Sequence, residues 1–159
     1  MSLERFHEAQ ARRWAGYDTA LAEIRAGGKR SHWIWYIFPQ IEGLGRSSTA
    51  RAYAIQDLGE ACAYLRDPIL FARYEEIVAA VSEQLGRGIH VEDLMGGRTD
   101  TLKLVSSLTL FRAAAEQLAR EDLVYVPLAE QLAALLTQTS EQGYPACDFT
   151  LARIATPIR

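Results

Sequence analysis

Apolar side chains recur every three or four residues along most of this chain, which is the spacing of an amphipathic α-helix. The first such segment runs from about Leu3 to Ala26, and Gly27 and Gly28 follow it. Glycine often ends a helix because it adopts the left-handed cap without steric cost. We therefore predict one N-terminal helix, whose inward stripe consists of Phe6, Gln10, Trp14, Tyr17, Leu21 and Ile24.

Helix-capping signals place the later helices. The predicted starts are Ser47 for residues 48–55, Asp57 with Glu60 as its capping partner, Asp67 with Pro68 for a helix to about Leu85, Thr99 or Asp100 for a helix to about Ala119, Pro127 for a helix to about Gln138, and Asp148 for a short C-terminal helix. In the helix after Asp67, an N-cap acid precedes a proline at the first helical position. Its predicted inward side chains are Ile69, Leu70, Tyr74, Ile77, Val78 and Val81.

The segment from Trp33 to Phe38 is the one candidate for a strand, because it is aromatic and β-branched. It also fits a short buried helix that stops before Pro39, since the residue before a proline disfavours the α region. The helical surroundings favour the helix. The sequence therefore predicts an all-α protein, folded as a single compact multihelical domain over residues 1–159.

Composition narrows the function classes. The chain is 49% hydrophobic and carries a formal net charge of −3, which is typical of a globular protein and argues against broad nucleic-acid binding. No apolar run approaches the roughly 18 residues that a membrane span needs. Cys62 and Cys147 form no CxxC pair, and we see no signal peptide. We therefore expect reduced thiols and a cytoplasmic location.

Candidate chemistry concentrates in residues 29–40, where Lys29, Arg30, Ser31 and His32 precede a run of aromatic residues. These cations and the hydroxyl suit a carboxylate or phosphate. The alternative is a solvated turn whose charges complement the end of the preceding helix. His32 suits acid–base catalysis and Tyr36 suits stacking on a ligand, but both residues also fit an aromatic core.

The next candidate is the glycine loop Gly43-Leu44-Gly45-Arg46-Ser47-Ser48. A glycine loop that runs into a helix allows backbone N–H groups to approach an anion, so Gly43, Gly45 and Ser47 are candidate ligand-binding residues. The loop has neither the third glycine of a dinucleotide fingerprint nor the Gly-Lys-Ser/Thr of a Walker A loop. The alternative is a turn followed by a helix cap.

The third candidate lies on the helix after the second glycine pair, where Asp100, Lys103 and Ser107 share one edge. Asp100 and Lys103 suit an acid–base couple and Ser107 suits ligand binding, whereas the alternative is an i,i+3 ion pair near a helix start. The three histidines lie in different segments without metal-ligand spacing, so we predict neither a metal nor a cofactor.

Several motifs together resemble the bacterial and fungal domain family of unknown function numbered 1810 (DUF1810). They are Phe-x-x-Ala-Gln at 6–10, Lys-Arg-Ser-His-Trp-x-Trp-Tyr-x-Phe-Pro-Gln at 29–40, Gly-Leu-Gly-x-Ser at 43–47, Tyr-Ala-Ile at 53–55, Glu-Ala at 60–61, Tyr-Leu at 64–65, Asp-x-x-Lys at 100–103, Ser-Ser-Leu-Thr-Leu-Phe at 106–111 and Asp-x-Thr-Leu at 148–151. The resemblance implies a compact, mostly helical fold and no established activity. Some members carry a calpastatin-like label, but this chain is globular whereas calpastatin resembles a disordered repeat protein.

Three functional interpretations follow from the residues. The first is a pocket for a small anionic ligand, nucleotide- or phosphate-like, built from the 29–40 and 43–48 segments with the edge at Asp100. The second adds catalysis, as a hydrolase or N-glycosidase acting on a nucleotide-derived substrate, with His32, Asp100 and Lys103 as catalytic residues. The third is a non-enzymatic protein-interaction module, which requires an exposed apolar patch. Oligomeric state does not follow from the sequence.

Overall fold

A computed structural model describes residues 2–155, in which the chain forms ten α-helices and one 3-10 helix. The helices are α1 (Glu4–Gln10), α2 (Tyr17–Arg25), α3 (Ile34–Ile37), α4 (Ser48–Ala52), α5 (Leu58–Arg66), α6 (Pro68–Gly86), α7 (Val91–Met95), α8 (Arg98–Ala119), the 3-10 helix Leu123–Tyr125, α9 (Val126–Glu141) and α10 (Asp148–Ala155). The prediction of an all-α fold is confirmed. The short helix α3 also confirms the helical interpretation of the aromatic segment.

Three of the predicted caps are present. Ser47, Asp57 and Asp67 each accept a hydrogen bond from the backbone N–H of the third residue that follows, at 3.1, 2.9 and 3.1 Å. Pro68 and Pro127 lie in the first turns of α6 and α9. These starts were predictable because a short polar side chain satisfies N–H groups that have no partner inside the helix.

The prediction of one helix over residues 3–26 is wrong, because a turn over residues 11–16 separates α1 from α2. Ala15 has a left-handed backbone with φ of +54°. Gly16 is so closely packed that a Cβ there would lie 2.2 Å from a carbonyl oxygen of the same turn. Trp14, predicted to face inward, is 82% exposed. The apolar spacing continues across the turn, so periodicity alone does not reveal the break.

Two further predictions need correction. The helix after Ser47 ends at Ala52, because the backbone of Ile55 instead pairs with residues 40–42 through hydrogen bonds of 2.8 and 2.9 Å. Ile69, predicted to face inward, lies in the first turn of α6 and is 52% exposed.

The start of α8 also differs from the prediction. The sequence pattern does not predict α7, which ends at Gly96 with φ of +80°. Gly97 is the N-cap residue of α8, two residues before Thr99 and three before Asp100, the two predicted caps. Gly96 and Gly97 thus connect α7 to α8, and Arg98 is the first residue of α8.

The longest helix is α8, which has 22 residues and packs against α5, α7, α9 and α10. Its Phe111 ring lies 5.0 Å from the ring of Tyr64 and 4.6 Å from the ring of Tyr74. Trp33 and Phe38, at the two ends of α3, are fully buried. The aromatic segment is therefore mainly core, and α3 packs against α8.

Within residues 2–155, no helix combines the length and the apolar character that a membrane crossing requires. Cys62 is buried, Cys147 is partly exposed, and both are free thiols.

Candidate functional site

Glu23 on α2 anchors the start of the 29–40 segment. Its Oε1 accepts hydrogen bonds from the backbone N–H groups of Arg30 and Ser31 and from the Trp33 indole, at 2.8, 2.9 and 2.8 Å. Its Oε2 accepts the Ser31 hydroxyl at 2.5 Å. Partial burial raises the pKa of Glu23, but these hydrogen bonds outweigh it and lower the pKa to about 2. Two backbone N–H groups, the Ser31 hydroxyl and the Trp33 indole N–H are thus all hydrogen-bonded to the Glu23 carboxylate.

Two lysines flank Asp100 at the start of α8. The Lys29 Nζ lies 2.7 Å from Oδ2 of Asp100, and the Lys103 Nζ lies 3.9 Å from Oδ1. Lys29 is 4% exposed and also donates to the Ser31 carbonyl oxygen at 2.6 Å. The Lys103 ammonium lies 5.2 Å from the ring centroid of Trp35. Lys29 therefore neutralises Asp100, and the charge of Lys103 is left in excess.

His32 and Tyr36 have different environments. The His32 side chain is exposed. Tyr36 is buried, and its hydroxyl donates to the Ala15 carbonyl oxygen at 2.7 Å. Burial raises the pKa of Tyr36 above its ordinary value. Tyr36 is thus a neutral core residue that stabilises the 11–16 turn.

The glycine loop serves mainly local structure. Gly43 has φ of +94°, and a Cβ there would lie 2.9 Å from Nη1 of Arg153 and 3.1 Å from the Phe149 ring. The Ser47 hydroxyl is the N-cap acceptor of α4. The loop thus allows α10 to approach closely and starts α4. Its middle, at Leu44 and Gly45, faces the cavity described below.

Ser107 is fully buried, and its hydroxyl lies 3.0 Å from the Tyr74 hydroxyl. Although Ser107 is one turn beyond Lys103 on α8, it faces the core rather than the helix edge that carries the charges. Its polar group is thus satisfied internally, and Ser107 does not line the cavity described below.

A cavity of about 470 Å³ lies between the first turns of α8, the loop that joins α9 to α10, and the two motif segments. This volume is in the range of roughly 300–1,000 Å³ that is common for small-molecule sites. Its lining residues are Gln40, Leu44, Gly45, Arg98, Thr99, Leu102, Lys103, Val105 and residues 143–148.

The wall of this cavity is mostly apolar but carries two cations. Arg98 and Lys103 both come from the start of α8. The Arg98 guanidinium lies 5.7 Å from the ring centroid of Tyr144, and the Tyr144 hydroxyl donates to Glu92 at 2.5 Å. The cavity therefore combines apolar contact area with cations that are held at its edge by aromatic rings.

Gln40 supplies a hydrogen-bond acceptor to the same wall. Its side-chain Nε2 donates to the carbonyl oxygens of Ile34, at 3.3 Å, and Phe38. Because both partners are acceptors, the amide orientation is fixed and Oε1 is the remaining atom. No residue in the range 2–155 donates to Oε1, so this atom can accept a hydrogen bond from a ligand.

The structure brings together only some of the residues that the sequence singles out. Gly45 and Lys103 line the cavity, and Lys29 and Asp100 form the ion pair beside Lys103. Lys29 and Asp100 do not themselves line the cavity, and neither do the remaining candidates: Arg30, Ser31, His32, Tyr36, Gly43, Ser47 and Ser107.

Sequence reasoning missed Arg98 and the 143–148 loop as parts of the wall. Arg98 directly follows the glycine pair that precedes α8, which was an available signal. The Gly143-Tyr144-Pro145 turn separates two predicted helices, but nothing in the sequence shows that it folds back onto α8. Across residues 2–155, no three His, Cys, Asp or Glu side chains are positioned to hold a metal ion.

The structure is that of a small all-α protein with a mostly apolar cavity, lined by Arg98 and Lys103, at the start of its longest helix. The chain belongs to the family described as "Protein of unknown function (DUF1810)", whose model matches residues 1–126. It is also similar to the crystal structure of the conserved hypothetical protein Rv1873 from Mycobacterium tuberculosis, with 37% identity over 98% of this chain and 97% of that chain and a TM-score of 0.80. No curated protein matches this chain.

Proposed function

We propose that this protein binds a small organic anion, nucleotide- or phosphate-like, in the cavity at the start of α8. One observation carries the proposal: Arg98 and Lys103 line a cavity whose wall is otherwise mostly apolar. An apolar wall buries the body of a ligand and lowers the local dielectric, which strengthens the attraction between these cations and an anion.

The charge balance of the wall supports an anionic ligand. Lys29 compensates Asp100 at 2.7 Å, so Lys103 contributes a charge that is only loosely paired at 3.9 Å. Asp148 is the carboxylate among the lining residues, and it is exposed to solvent. Two cations against one solvated carboxylate leave an excess positive charge at the cavity edge.

The two motif segments contribute to this site differently from the sequence-based expectation. They supply Gln40, Leu44 and Gly45 to the wall, whereas the cationic grip comes from α8. A ligand that contacts both parts carries an anion near Arg98 and Lys103 and an N–H or O–H donor near Gln40. A nucleotide has this combination of groups, because its phosphate is an anion, its base edge carries N–H donors and the flat faces of its base are largely apolar.

The proposal stops at binding. His32 is exposed outside the cavity wall, and Asp100 is paired with Lys29, so no specific observation favours the hydrolase interpretation. The exposed large apolar residues lie on several elements: Trp14, Ile69, Leu102, Leu123, Val124, Phe149 and Leu151. We keep the cytoplasm as the expected location, which the two free thiols support.

A thermal-shift panel of nucleotides, ADP-ribose, sugar phosphates and small carboxylates tests the proposal. A ligand at about 100 times its dissociation constant adds roughly 2.7 kcal/mol, which raises the Tm of a protein of this size by about 5 to 10 °C. Lys103→Met and Arg98→Met should each reduce that shift. Arg120→Met is the matched control, because Arg120 is exposed beyond the opposite end of the same helix.

The outcomes separate clearly. A shift that is lost in both cavity variants and kept in Arg120→Met supports the proposal. A shift that all three variants retain places the ligand elsewhere, and the absence of any shift across the panel contradicts an anion site of this class.

A further inference from the structure

The exposure of Trp14 is not explained by the cavity, because Trp14 is not among the residues that line it. Its side chain is 82% exposed, whereas Trp33 is fully buried and Trp35 is partly buried. Tryptophan is rarely left this exposed, because its large apolar surface gains more than that of most residues from burial. An isolated exposed indole is therefore a candidate contact residue.

The turn that carries Trp14 is held in one conformation. The Tyr36 hydroxyl donates to the Ala15 carbonyl oxygen at 2.7 Å. Arg12 donates to the Tyr53 hydroxyl at 3.0 Å, and its guanidinium lies 5.3 Å from the Tyr36 ring centroid. The left-handed Ala15, with φ of +54°, is stabilised by these contacts. The indole is thus presented by a preorganised turn, which lowers the entropic cost of binding a partner.

The turn and the segment that contacts it carry basic but no acidic side chains. The Tyr36 hydroxyl also lies 3.3 Å from the His32 carbonyl oxygen, so segments 9–17 and 27–41 meet at this group. Neither segment contains Asp or Glu, although the whole chain has a net charge of −3. The exposed side chains on these segments include Arg12, Arg13, Trp14, Arg30 and His32, which we call the Trp14 surface.

Three carboxylates lie near the Trp14 surface, as many as its arginines, so an anion would be held there by individual guanidinium groups rather than by an excess of positive charge. Glu23 lies beside Arg30 and is already engaged by four hydrogen bonds. Glu8 and Asp18 lie just outside the two segments in sequence, and both are exposed. Arg13 has no hydrogen bond or ion pair with any residue in the range 2–155, so its guanidinium is free to contact an anion.

We propose that the Trp14 surface binds a short stretch of single-stranded nucleic acid. A base stacks on one exposed indole face, and neighbouring arginines contact the flanking phosphates. A protein partner or a bilayer instead requires a broad apolar area, and the other exposed large apolar side chains lie on other elements. The acidic net charge restricts the contact to a local site rather than a long basic groove.

Fluorescence anisotropy with labelled oligo-dT and oligo-U of about ten nucleotides, at about 50 mM salt, tests this proposal. Trp14→Ala should weaken binding roughly 5- to 100-fold, because it removes the aromatic face on which the base stacks, and Trp14→Phe should retain part of the affinity. Arg13→Met should lower the slope of log affinity against log salt by about 0.7 for each phosphate that Arg13 neutralises. The matched control is Leu123→Ala, since Leu123 is 80% exposed on a different element.

Saturable binding that falls in Trp14→Ala and Arg13→Met but not in Leu123→Ala supports the proposal. It is overturned if neither oligonucleotide binds saturably, if Trp14→Ala binds as tightly as the wild type, or if Leu123→Ala loses affinity to the same extent. Vesicles that contain phosphatidylserine are the further comparison. Trp14-dependent binding to these vesicles without binding to oligonucleotides identifies a membrane surface instead and overturns the proposal.

Discussion

The Lys29 ammonium lies 2.7 Å from the Asp100 carboxylate, and the Lys29 side chain is only 4% exposed. The Lys29 backbone N–H also donates to the Leu94 carbonyl oxygen at 2.8 Å. The turn after α2 is therefore attached to both α7 and α8. This attachment fixes the segment that supplies Gln40 to the cavity against the helix that supplies Lys103. A nearly buried ion pair thus joins two parts of the candidate site that are distant in the sequence.

We predict that Asp100→Asn destabilises the fold more than Lys29→Met does. Asp100→Asn leaves a nearly buried ammonium without its counter-ion, which costs about 3 to 5 kcal/mol of unfolding free energy. Lys29→Met leaves a carboxylate that is 23% exposed and still has Lys103 at 3.9 Å, so the expected cost is about 1 to 3 kcal/mol. Urea unfolding of the two variants measures both costs.

The exposed pair of Arg87 and Glu83, at 2.8 Å, is the control for this comparison. Its side chains are 64% and 62% exposed, so Arg87→Met should cost at most about 1 kcal/mol. The double variant of Lys29 and Asp100 should cost less than the sum of its single changes. Equal costs for Asp100→Asn and Lys29→Met contradict the asymmetry in burial.

Helix starts were predictable from the sequence to the extent that they depend on local chemistry. Ser47, Asp57 and Asp67 cap their helices with their own side chains, so their sequence context is enough. The break between α1 and α2 was not predictable in this way. It depends on the Tyr36 hydroxyl that binds the Ala15 carbonyl oxygen from 21 residues away. A tertiary contact thus stabilises a turn that the helical periodicity conceals.

The candidate site was predictable only in part for the same reason. Lys103 was found because its charge lies beside an apolar stripe on one helix. Ser107 shares that helix, but packing against Tyr74 turns it into the core. The 143–148 wall comes from the far end of the chain and reaches α8 only in the folded state. Spacing in the sequence identifies residue types, whereas tertiary packing decides which of them face the cavity.

Glu23 should make stability depend on pH in the acidic range. In the folded protein its pKa is lowered to about 2, against an ordinary value of 4.5 in the unfolded chain. The ionised form is therefore favoured by folding, and its contribution is complete above about pH 4.5 and lost as the pH falls towards 2. We expect a contribution of about 1 to 2 kcal/mol, since the carboxylate is partly exposed and solvent screens it.

Unfolding free energies of the wild type and Glu23→Gln, at neutral pH and at several values down to about pH 2.5, measure this contribution. Glu23→Gln should be less stable than the wild type at neutral pH, and the difference should shrink as the pH falls. Glu83→Gln is the control, because the Glu83 side chain is exposed and, among residues 2–155, pairs only with the Arg87 side chain four residues further along the chain. A difference between wild type and Glu23→Gln that stays constant with pH rules out this contribution.

Ser107→Ala should affect stability without affecting ligand binding. The change leaves the buried Tyr74 hydroxyl without its partner at 3.0 Å, which costs about 1 to 3 kcal/mol. Adding Tyr74→Phe should recover much of that loss, because both polar groups are then absent. In the thermal-shift panel, the ligand-induced shift should equal that of the wild type. A shift that disappears in Ser107→Ala shows that Ser107 contributes to the site.

Gly16→Ala should disrupt the turn that carries Trp14. An added Cβ would lie 2.2 Å from the Arg12 carbonyl oxygen, a backbone atom that cannot give way without moving the turn. We expect a loss of about 2 kcal/mol or more, seen as a Tm lower by about 4 to 8 °C. Gly28→Ala is the matched control, because a Cβ there meets no atom within 4 Å.

The strain in Gly16→Ala falls on the turn that carries Trp14. The affinity for oligonucleotides should therefore also fall in this variant, whereas the Tm shift that an anion causes by binding in the cavity should persist. Wild-type stability in Gly16→Ala shows that the turn can relax, and its packing then does not fix the position of Trp14.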